Sequence, residues 1–241
     1  MVFPGYLAIT AAEFARIRPG TQNLAWMACH FSPYSSGLSN LPHRLPSRSM
    51  LILNDRMPLR DHDPQRILLE LEQVITQFQC SGLLLDFEQE SNPDYPPLIR
   101  ALVEGLPCPV GVCAAYDSGE KSHPVFLPPV PLHIPAEDYL APWQGRKLWL
   151  EAALDAQTLT LSEGGVSRTV RPHAFSPPLP HRDATLLCHY RTELSSHRVQ
   201  FCLSRTQEDL EQLIEKALGL GVTRCIGLWQ ELGTSFSAQD A

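Results

Sequence analysis

Two acidic residues, Asp86 and Glu88, follow three consecutive leucines in the segment SGLLLDFEQE, residues 81–90. Side chains alternate between the two faces of an extended strand, so both carboxyl groups lie on the same face. Such a pair can serve as a general acid and the carboxylate that assists it. The alternative is a strand that runs out into solvent, with Asp86 capping nearby backbone. The sequence leaves both interpretations open.

A parallel sheet is predicted to position these acids. Apolar runs of strand length recur along the chain and are separated by segments with helical periodicity, which is the pattern of buried parallel strands with crossover helices. The predicted parallel strands are Asn23–Phe31, Ser49–Asp55, Gly82–Glu88, Cys108–Cys113, Lys147–Leu154 and Thr223–Trp229. A shorter strand is predicted at Pro129–Pro135.

Three segments between these strands are predicted to be helices. The first begins at Asp63, a capping residue, with Pro64 in the first turn. The second covers Tyr95–Leu106. The third begins at Thr206, also a capping residue, and ends at Gly219 or Gly221.

The order of these elements predicts an α/β fold, a TIM-type (β/α) barrel that is either complete or shortened and irregular. We expect one domain over residues 1–241 with a β-rich insertion at residues 155–204. Alternating side chains at Thr158–Val170 and at Thr185–Leu203 predict two β-hairpins there, before the last helix and strand. The tail after Gly233 is predicted to be frayed.

A barrel gives the two acids a definite orientation. Asp86 and Glu88 point inward, with Glu88 nearest the carboxyl-end mouth where active sites of such barrels lie, and Phe87 faces the helices. Leu84 lies one layer below Asp86 and offers no hydrogen bond. Burial should therefore raise the pKa of Asp86, unless a polar group from another strand meets it.

Two segments resemble a known family. SGLLLDFE resembles the fourth-strand motif D-G-x-D-x-D-x-E of glycoside hydrolase family 18, the chitinases and their relatives. His197–Gly233 is similar to that family's last helix and strand, with Trp229 on the strand-end tryptophan. The resemblance implies that Glu88 is the proton donor, that Asp86 positions the substrate N-acetyl group, and that Trp229 forms the floor of a sugar subsite.

The resemblance implies a hydrolase of N-acetylhexosamine-containing glycans that uses a substrate-assisted, retaining mechanism. Ser81 and Leu84, however, stand where the motif has its first two aspartates, and the segment around His133 and Tyr139 lacks the family's sixth-strand tyrosine and aspartate. The alternative is therefore a catalytically inactive barrel that binds carbohydrate or a protein partner.

Other residues are candidates for contacts with a carbohydrate ligand. Asn54 and Asp55 end a predicted strand at the same mouth, and helix capping is their alternative role. Tyr116 ends the predicted strand that begins at Cys108, and packing within a loop is its alternative role. Trp229 could equally be a core residue. His30 begins a polar loop that either faces the site or lies on the surface.

Composition and charge exclude several classes of function. The formal net charge is −7 and no basic patch occurs, so neither nucleic acid nor an anionic membrane is an expected partner. Motifs for nucleotide binding and serine hydrolysis do not occur. Without a signal peptide or a membrane-length apolar run, the chain is expected to be cytoplasmic.

The seven cysteines form no CxxC pair, so we expect free thiols, no metal and no cofactor. The oligomeric state is left open.

Overall fold

Strands and helices alternate along most of the chain in the computed structural model, which describes residues 5–17, 21, 23–59, 63–89, 92–172, 175 and 179–237. The strands are β1 Tyr6–Ile9, β2 Leu24–Phe31, β3 Leu38–Ser39, β4 Met50–Asn54, β5 Gly82–Asp86, β6 Val110–Cys113, β7 Val125–Leu127, β8 Leu148–Ala152, β9 Asp155–Ser162, β10 Gly165–Pro172, β11 His181–Asp183, β12 Cys188–Ser195, β13 Arg198–Ser204 and β14 Val222–Leu228. The α-helices are α1 Ala11–Phe14, α2 Pro64–Phe78, α3 Tyr95–Gly105, α4 Ala136–Leu140, α5 Gln207–Gly219 and α6 Trp229–Ser237.

Eight strands form a closed parallel ring in the order β1-β2-β4-β5-β6-β7-β8-β14. The ring closes because β1 pairs in parallel with both β2 and β14. β3 lies outside the ring and pairs antiparallel with the end of β2. The (β/α) barrel is thus confirmed, and each of the six parallel strands predicted from the sequence contributes a strand to the ring.

The alternation of side chains along β5 is also confirmed. Leu83, Leu85 and Phe87 pack in the layer between the barrel and helices α2 and α3. Leu84 belongs to the apolar cluster inside the barrel. The buried Trp149 belongs to the same inner cluster.

The three predicted helices are present as α2, α3 and α5. The Asp63 side chain accepts a hydrogen bond from the backbone N–H of Gln65 and so caps α2. Thr206 and Asp209 form a reciprocal capping box at the start of α5. These caps satisfy N–H groups that lack intrahelical partners.

The strand predicted at Pro129–Pro135 is wrong, because the sixth ring strand is Val125–Leu127. A strand inside a sheet needs backbone N–H donors, and the prolines of the predicted segment have none. Val125 supplies such a donor to the carbonyl of Lys147, at 2.9 Å. The predicted segment forms a turn instead.

Both ends of the described chain are more ordered than the sequence analysis expected. β1 was not predicted, yet Leu7, Ala8 and Ile9 are buried in it. Helix α6 continues to Ser237, where a frayed tail after Gly233 was expected. The predicted last strand ends at Leu228, one residue before Trp229.

A second sheet of five antiparallel strands lies between β8 and α5 in the sequence, in the order β10-β9-β13-β12-β11. Its β9–β10 and β12–β13 pairs are the two predicted hairpins. All seven cysteines are free. Among the helices of the described residues, none is long and apolar enough to cross a bilayer.

Candidate active site at the carboxyl end of the barrel

Two adjoining cavities open at the carboxyl end of the ring. The larger, called here the cleft, has a volume of about 570 Å³, and the smaller, called the well, has about 90 Å³. Met27, Asn54, Asp86 and Glu88 line both. The predicted pair of acids therefore lies where the two cavities meet.

Asp86 is the last residue of β5 and is half-buried above Leu84. It lies opposite Asn54 of β4 in the parallel ladder. Burial raises the pKa of Asp86 to about 6, and the negative charges of Glu88 and Asp55 add to the effect. Asp86 therefore carries a proton much closer to neutrality than an ordinary aspartic acid does.

Glu88 lies beyond the strand end and is exposed at the mouth. Its backbone position is fixed by Asp55, whose Oδ1 accepts a hydrogen bond from the Glu88 N–H at 3.0 Å. Asp55 Oδ2 accepts from the Gln89 N–H at 2.8 Å and from the Tyr95 hydroxyl at 3.2 Å. The carboxylate of Asp55, a candidate for sugar contact, is thus engaged in holding the loop that carries Glu88.

The side chain of Asn54 also makes hydrogen bonds to the backbone at the mouth. Its Nδ2 donates to the carbonyl oxygen of Met27 at 2.9 Å, and its Oδ1 accepts from the Arg56 N–H at 3.2 Å. The side chain still lines both cavities. Asn54 therefore joins β2 to β4 at the mouth and presents its remaining surface to a ligand.

Glu151 is a site residue that the sequence analysis missed. It lies on β8, where Leu148, Leu150 and Ala152 pack outward and Trp149 packs inside the barrel. Glu151 shares the inward face with Trp149 and lines the well together with Asp86 and Glu88. The available signal was an acid inside an otherwise apolar strand, on the predicted inner face.

Neither a family model nor a curated protein matches the sequence. The fold is similar to a glycoside hydrolase family 18 chitinase from Cycas revoluta solved with (GlcNAc)3, at a TM-score of 0.57 and 11% identity, covering 97% of this chain and 96% of that one. A chitinase from Chromobacterium violaceum gives a TM-score of 0.53 at 8% identity, covering 92% and 93%.

The spore cortex-lytic enzyme SleL from Bacillus cereus is also similar, with a TM-score of 0.53 and 13% identity over 86% of this chain. The chain spans 63% of the length of SleL. The fold is a divergent glycoside hydrolase family 18-like barrel. At these identities the likeness establishes the architecture alone.

Tyr116 lies apart from the acids of the family 18-like barrel. It follows β6 in a short 3₁₀ turn, and its hydroxyl donates to the Gln89 carbonyl oxygen. Its ring packs edge-on against Phe87 and Tyr95. It lines a separate crevice of about 320 Å³ against α3. Tyr116 therefore supports the loop after β5 and is not brought into the cleft or the well.

Trp229 is likewise not among the residues that line the cleft or the well. It begins α6, is half-buried, and packs against the apolar cluster between the barrel and α5. Leu228, the preceding residue, lines the well instead. The structure thus brings Asp86, Glu88, Asn54 and Asp55 together at the cleft, and Trp229 is not among the residues that line it.

The loop after β2 contributes polar groups to the cleft. His30 and Asn40 both line it, and Asn40 Nδ2 lies 3.0 Å from His30 Nε2. His30 Nδ1 lies 2.8 Å from the Phe31 carbonyl oxygen, so Nδ1 carries the hydrogen and Nε2 accepts from Asn40. Of the cleft-lining residues in the described part of the chain, Arg56 is the cationic one. No cluster of three potential metal ligands occurs among the described residues.

Proposed function

We propose that this family 18-like barrel hydrolyses N-acetylhexosamine-containing glycans at the carboxyl-end mouth. The observation that carries the proposal is the pairing of Asp86 and Glu88 at the end of the fourth ring strand, where both line the same two cavities. A cleft of about 570 Å³ is within the usual range for a small-molecule site.

In the proposed reaction Glu88 is the general acid. It is exposed at the mouth and can reach the glycosidic oxygen of a bound glycan, to which it donates its proton as the bond breaks. The acetamido carbonyl of the substrate attacks the anomeric carbon from the other face, so the anomeric configuration is retained. Ionised Glu88 then activates the water that opens the intermediate.

Asp86 is the proposed partner of the acetamido group. Its carboxylate accepts a hydrogen bond from the acetamido N–H and so orients the carbonyl oxygen towards the anomeric carbon. The apolar floor of the well, formed by Ile52, Leu84, Phe126 and Ile226, suits a methyl group. The small volume of the well favours a group of acetamido size over a whole sugar ring.

A second candidate function is a catalytically silent barrel that binds a glycan or a protein. Two observations favour it. Leu84 replaces an acid of the family 18 motif directly beneath Asp86, and Trp229 lies outside both cavities. In this case Asp86 and Glu88 serve only as hydrogen-bond acceptors for the ligand.

Glu88→Gln separates the two functions, because glutamine keeps the shape but cannot donate the proton. On (GlcNAc)3 we expect the rate of hydrolysis to fall roughly 10²- to 10⁴-fold, with unchanged thermal stability. Glu104→Gln is the matched control, since it makes the same change on α3 outside both cavities. A substrate whose acetamido groups are replaced by free amines should not be hydrolysed.

Three results would count against the proposed hydrolase. Turnover that survives Glu88→Gln excludes the assignment of the acid. Turnover of the deacetylated substrate excludes assistance by the acetamido group. Binding of (GlcNAc)3 without turnover, equal in wild type and Glu88→Gln, establishes the silent barrel.

A further inference from the structure

Two half-buried acids from different strands line the well between the fourth and seventh ring strands, and the exposed Glu88 lines it at the mouth. Asp86 enters it from β5 and Glu151 from β8, and both are half-buried. The floor beneath them is apolar. The volume of about 90 Å³ is well above the roughly 10–15 Å³ that one water molecule needs. The well that both carboxyl groups line therefore has room for a water molecule or a small group of a ligand.

No other inward-facing side chain of β5 can form a hydrogen bond with Asp86. Leu84, the next inward-facing residue below it, offers only a hydrocarbon surface. No cationic side chain lines the well among the described residues. Two other acids line the well, Glu88 at its exposed mouth and Glu151 from another strand, and Glu151 is the one that is half-buried like Asp86.

We propose that Glu151 is a positioning residue of this site, and that it holds the proton that keeps the Asp86–Glu151 pair singly charged. The pair then offers a ligand one carboxylate acceptor and one hydroxyl donor. An acetamido group has both an N–H and a carbonyl oxygen, so the two groups complement it. This consequence for the ligand rests on the proposed function, whereas the location of the proton does not.

The electrostatics of the well support a proton on Glu151 when Asp86 is charged. Burial is the main cause that raises the pKa of Glu151 to about 7, and the charge of Asp86 is the next. Burial also raises the pKa of Asp86, to about 6. Because the two acids line one cavity that has no cationic side chain among its described lining residues, a negative charge on Asp86 helps to retain the proton on Glu151.

The titratable groups near the pair include several acids, two neutral groups and one arginine. Asp155, Glu231 and Glu88 add negative charge near Glu151, and Glu88 and Asp55 do so near Asp86. Burial raises the pKa of Cys113 and of Tyr139 to about 12, so both are neutral in this range. The positive charge of Arg56 lies at the cleft.

The proposal is tested by carbon-13 NMR titration of labelled carboxyl groups in the full chain, without ligand. Glu151 should titrate near pH 7, and Asp86→Asn should lower its pKa by about one unit. Glu231→Gln is the matched control. It also removes a nearby acid, but Glu231 lies on α6 outside the well and accepts from the Leu154 N–H at 3.2 Å. The control should shift Glu151 less than Asp86→Asn does.

Two outcomes would overturn the proposal. One is a Glu151 carboxyl that titrates near its ordinary value of 4.5 in the wild type. The other is a Glu151 pKa that does not change in Asp86→Asn. Asp86→Asn leaves Glu151 in place. The proposal therefore stays testable even if the Glu151→Gln variant used for the binding experiment does not fold.

Binding of (GlcNAc)3 tests the consequence for the ligand. In the wild type we expect affinity to fall above pH 7, as Glu151 ionises and the well gains a second charge. In Glu151→Gln the affinity at pH 6 should be similar, and the fall above pH 7 should disappear. Equal falls in both proteins would contradict a role for Glu151 in the ligand site. No binding at any pH would refute the proposed function, while the titration would still decide where the proton lies.

Discussion

The loop that carries Glu88 depends on one buried side chain, and its replacement gives a quantitative prediction. Asp55 is only 4% exposed, and its carboxylate accepts three hydrogen bonds, from the N–H groups of Glu88 and Gln89 and from the Tyr95 hydroxyl. Asp55→Asn keeps the size of the side chain. It removes the charge and turns one acceptor oxygen into a donor nitrogen.

The expected cost follows from these three bonds. A hydrogen bond to a charged group contributes about 1.5–3 kcal/mol, a neutral one about 0.5–1.5 kcal/mol, and a donor left unpaired costs about 1–3 kcal/mol. In Asp55→Asn two bonds weaken and the Glu88 N–H loses its acceptor, although this N–H lies close enough to solvent to be hydrated. We therefore expect a loss of about 3 kcal/mol in the free energy of unfolding, or roughly 10 °C in melting temperature.

Tyr95→Phe is the matched comparison, because it removes one of the three bonds and leaves the carboxylate charge in place. It should cost about 1.5 kcal/mol, the low end of the range for a bond to a charged group, because 3.2 Å is long for a hydroxyl donor. Thermal and urea unfolding of both variants measure the difference in the free energy of unfolding. The proposed hydrolysis of (GlcNAc)3 should fall more in Asp55→Asn than in Tyr95→Phe, because the loop that carries Glu88 loses its anchor. If Asp55→Asn were no less stable than Tyr95→Phe, the carboxylate would not be what holds the loop.

Two further predictions concern the inside of the barrel. A Cβ at Gly111 would overlap the ring of Trp149, so Gly111→Ala should lower the free energy of unfolding by about 1–3 kcal/mol. Gly219→Ala, which meets no atom within 4 Å at the end of α5, should be neutral or stabilising by up to about 1 kcal/mol, and equal urea midpoints for the two would contradict the packing argument. The pKa of Asp86 rises from 3.8 to about 6 on folding. The contribution of protonated Asp86 to the free energy of unfolding is therefore fully present below pH 4 and is lost as pH rises through 6. Asp86→Asn should therefore gain about 2–3 kcal/mol relative to wild type between pH 4 and pH 8, and a difference that does not vary with pH would count against it.

The local pattern of apolar residues was enough to predict the long buried strands of the ring. The leucines of β5 alternate between the barrel interior and the helix layer, and this alternation places Asp86 on the inner face. The capping residues Asp63 and Thr206 marked the starts of two helices, because their side chains satisfy backbone groups nearby in the sequence.

Features that depend on distant pairing could not be predicted in this way. β1 has four residues, and it is a strand because β2 and β14 supply its hydrogen bonds on both sides. Glu151 became a site residue because ring closure brings β8 to face the well lined by Asp86. Trp229 matched a motif position in sequence, yet the strand ends one residue earlier, and Trp229 begins the next helix and is not among the residues that line the cavities.

Closure of the ring by its first and last strands also sets the timing of folding during synthesis. β8 ends at Ala152 and its neighbour β14 begins at Val222, so residues 153 to 221, 69 in all, must be made in between. At about 5–20 residues per second this takes roughly 3 to 14 s, during which the nascent ring has two open edges. The pairings of the five-stranded sheet all lie within residues 155–204, so that sheet can form while the ring waits. A circular permutant that places β14 ahead of β1 would let the ring close as soon as β8 leaves the ribosome, and would leave the five-stranded sheet as the last part to fold.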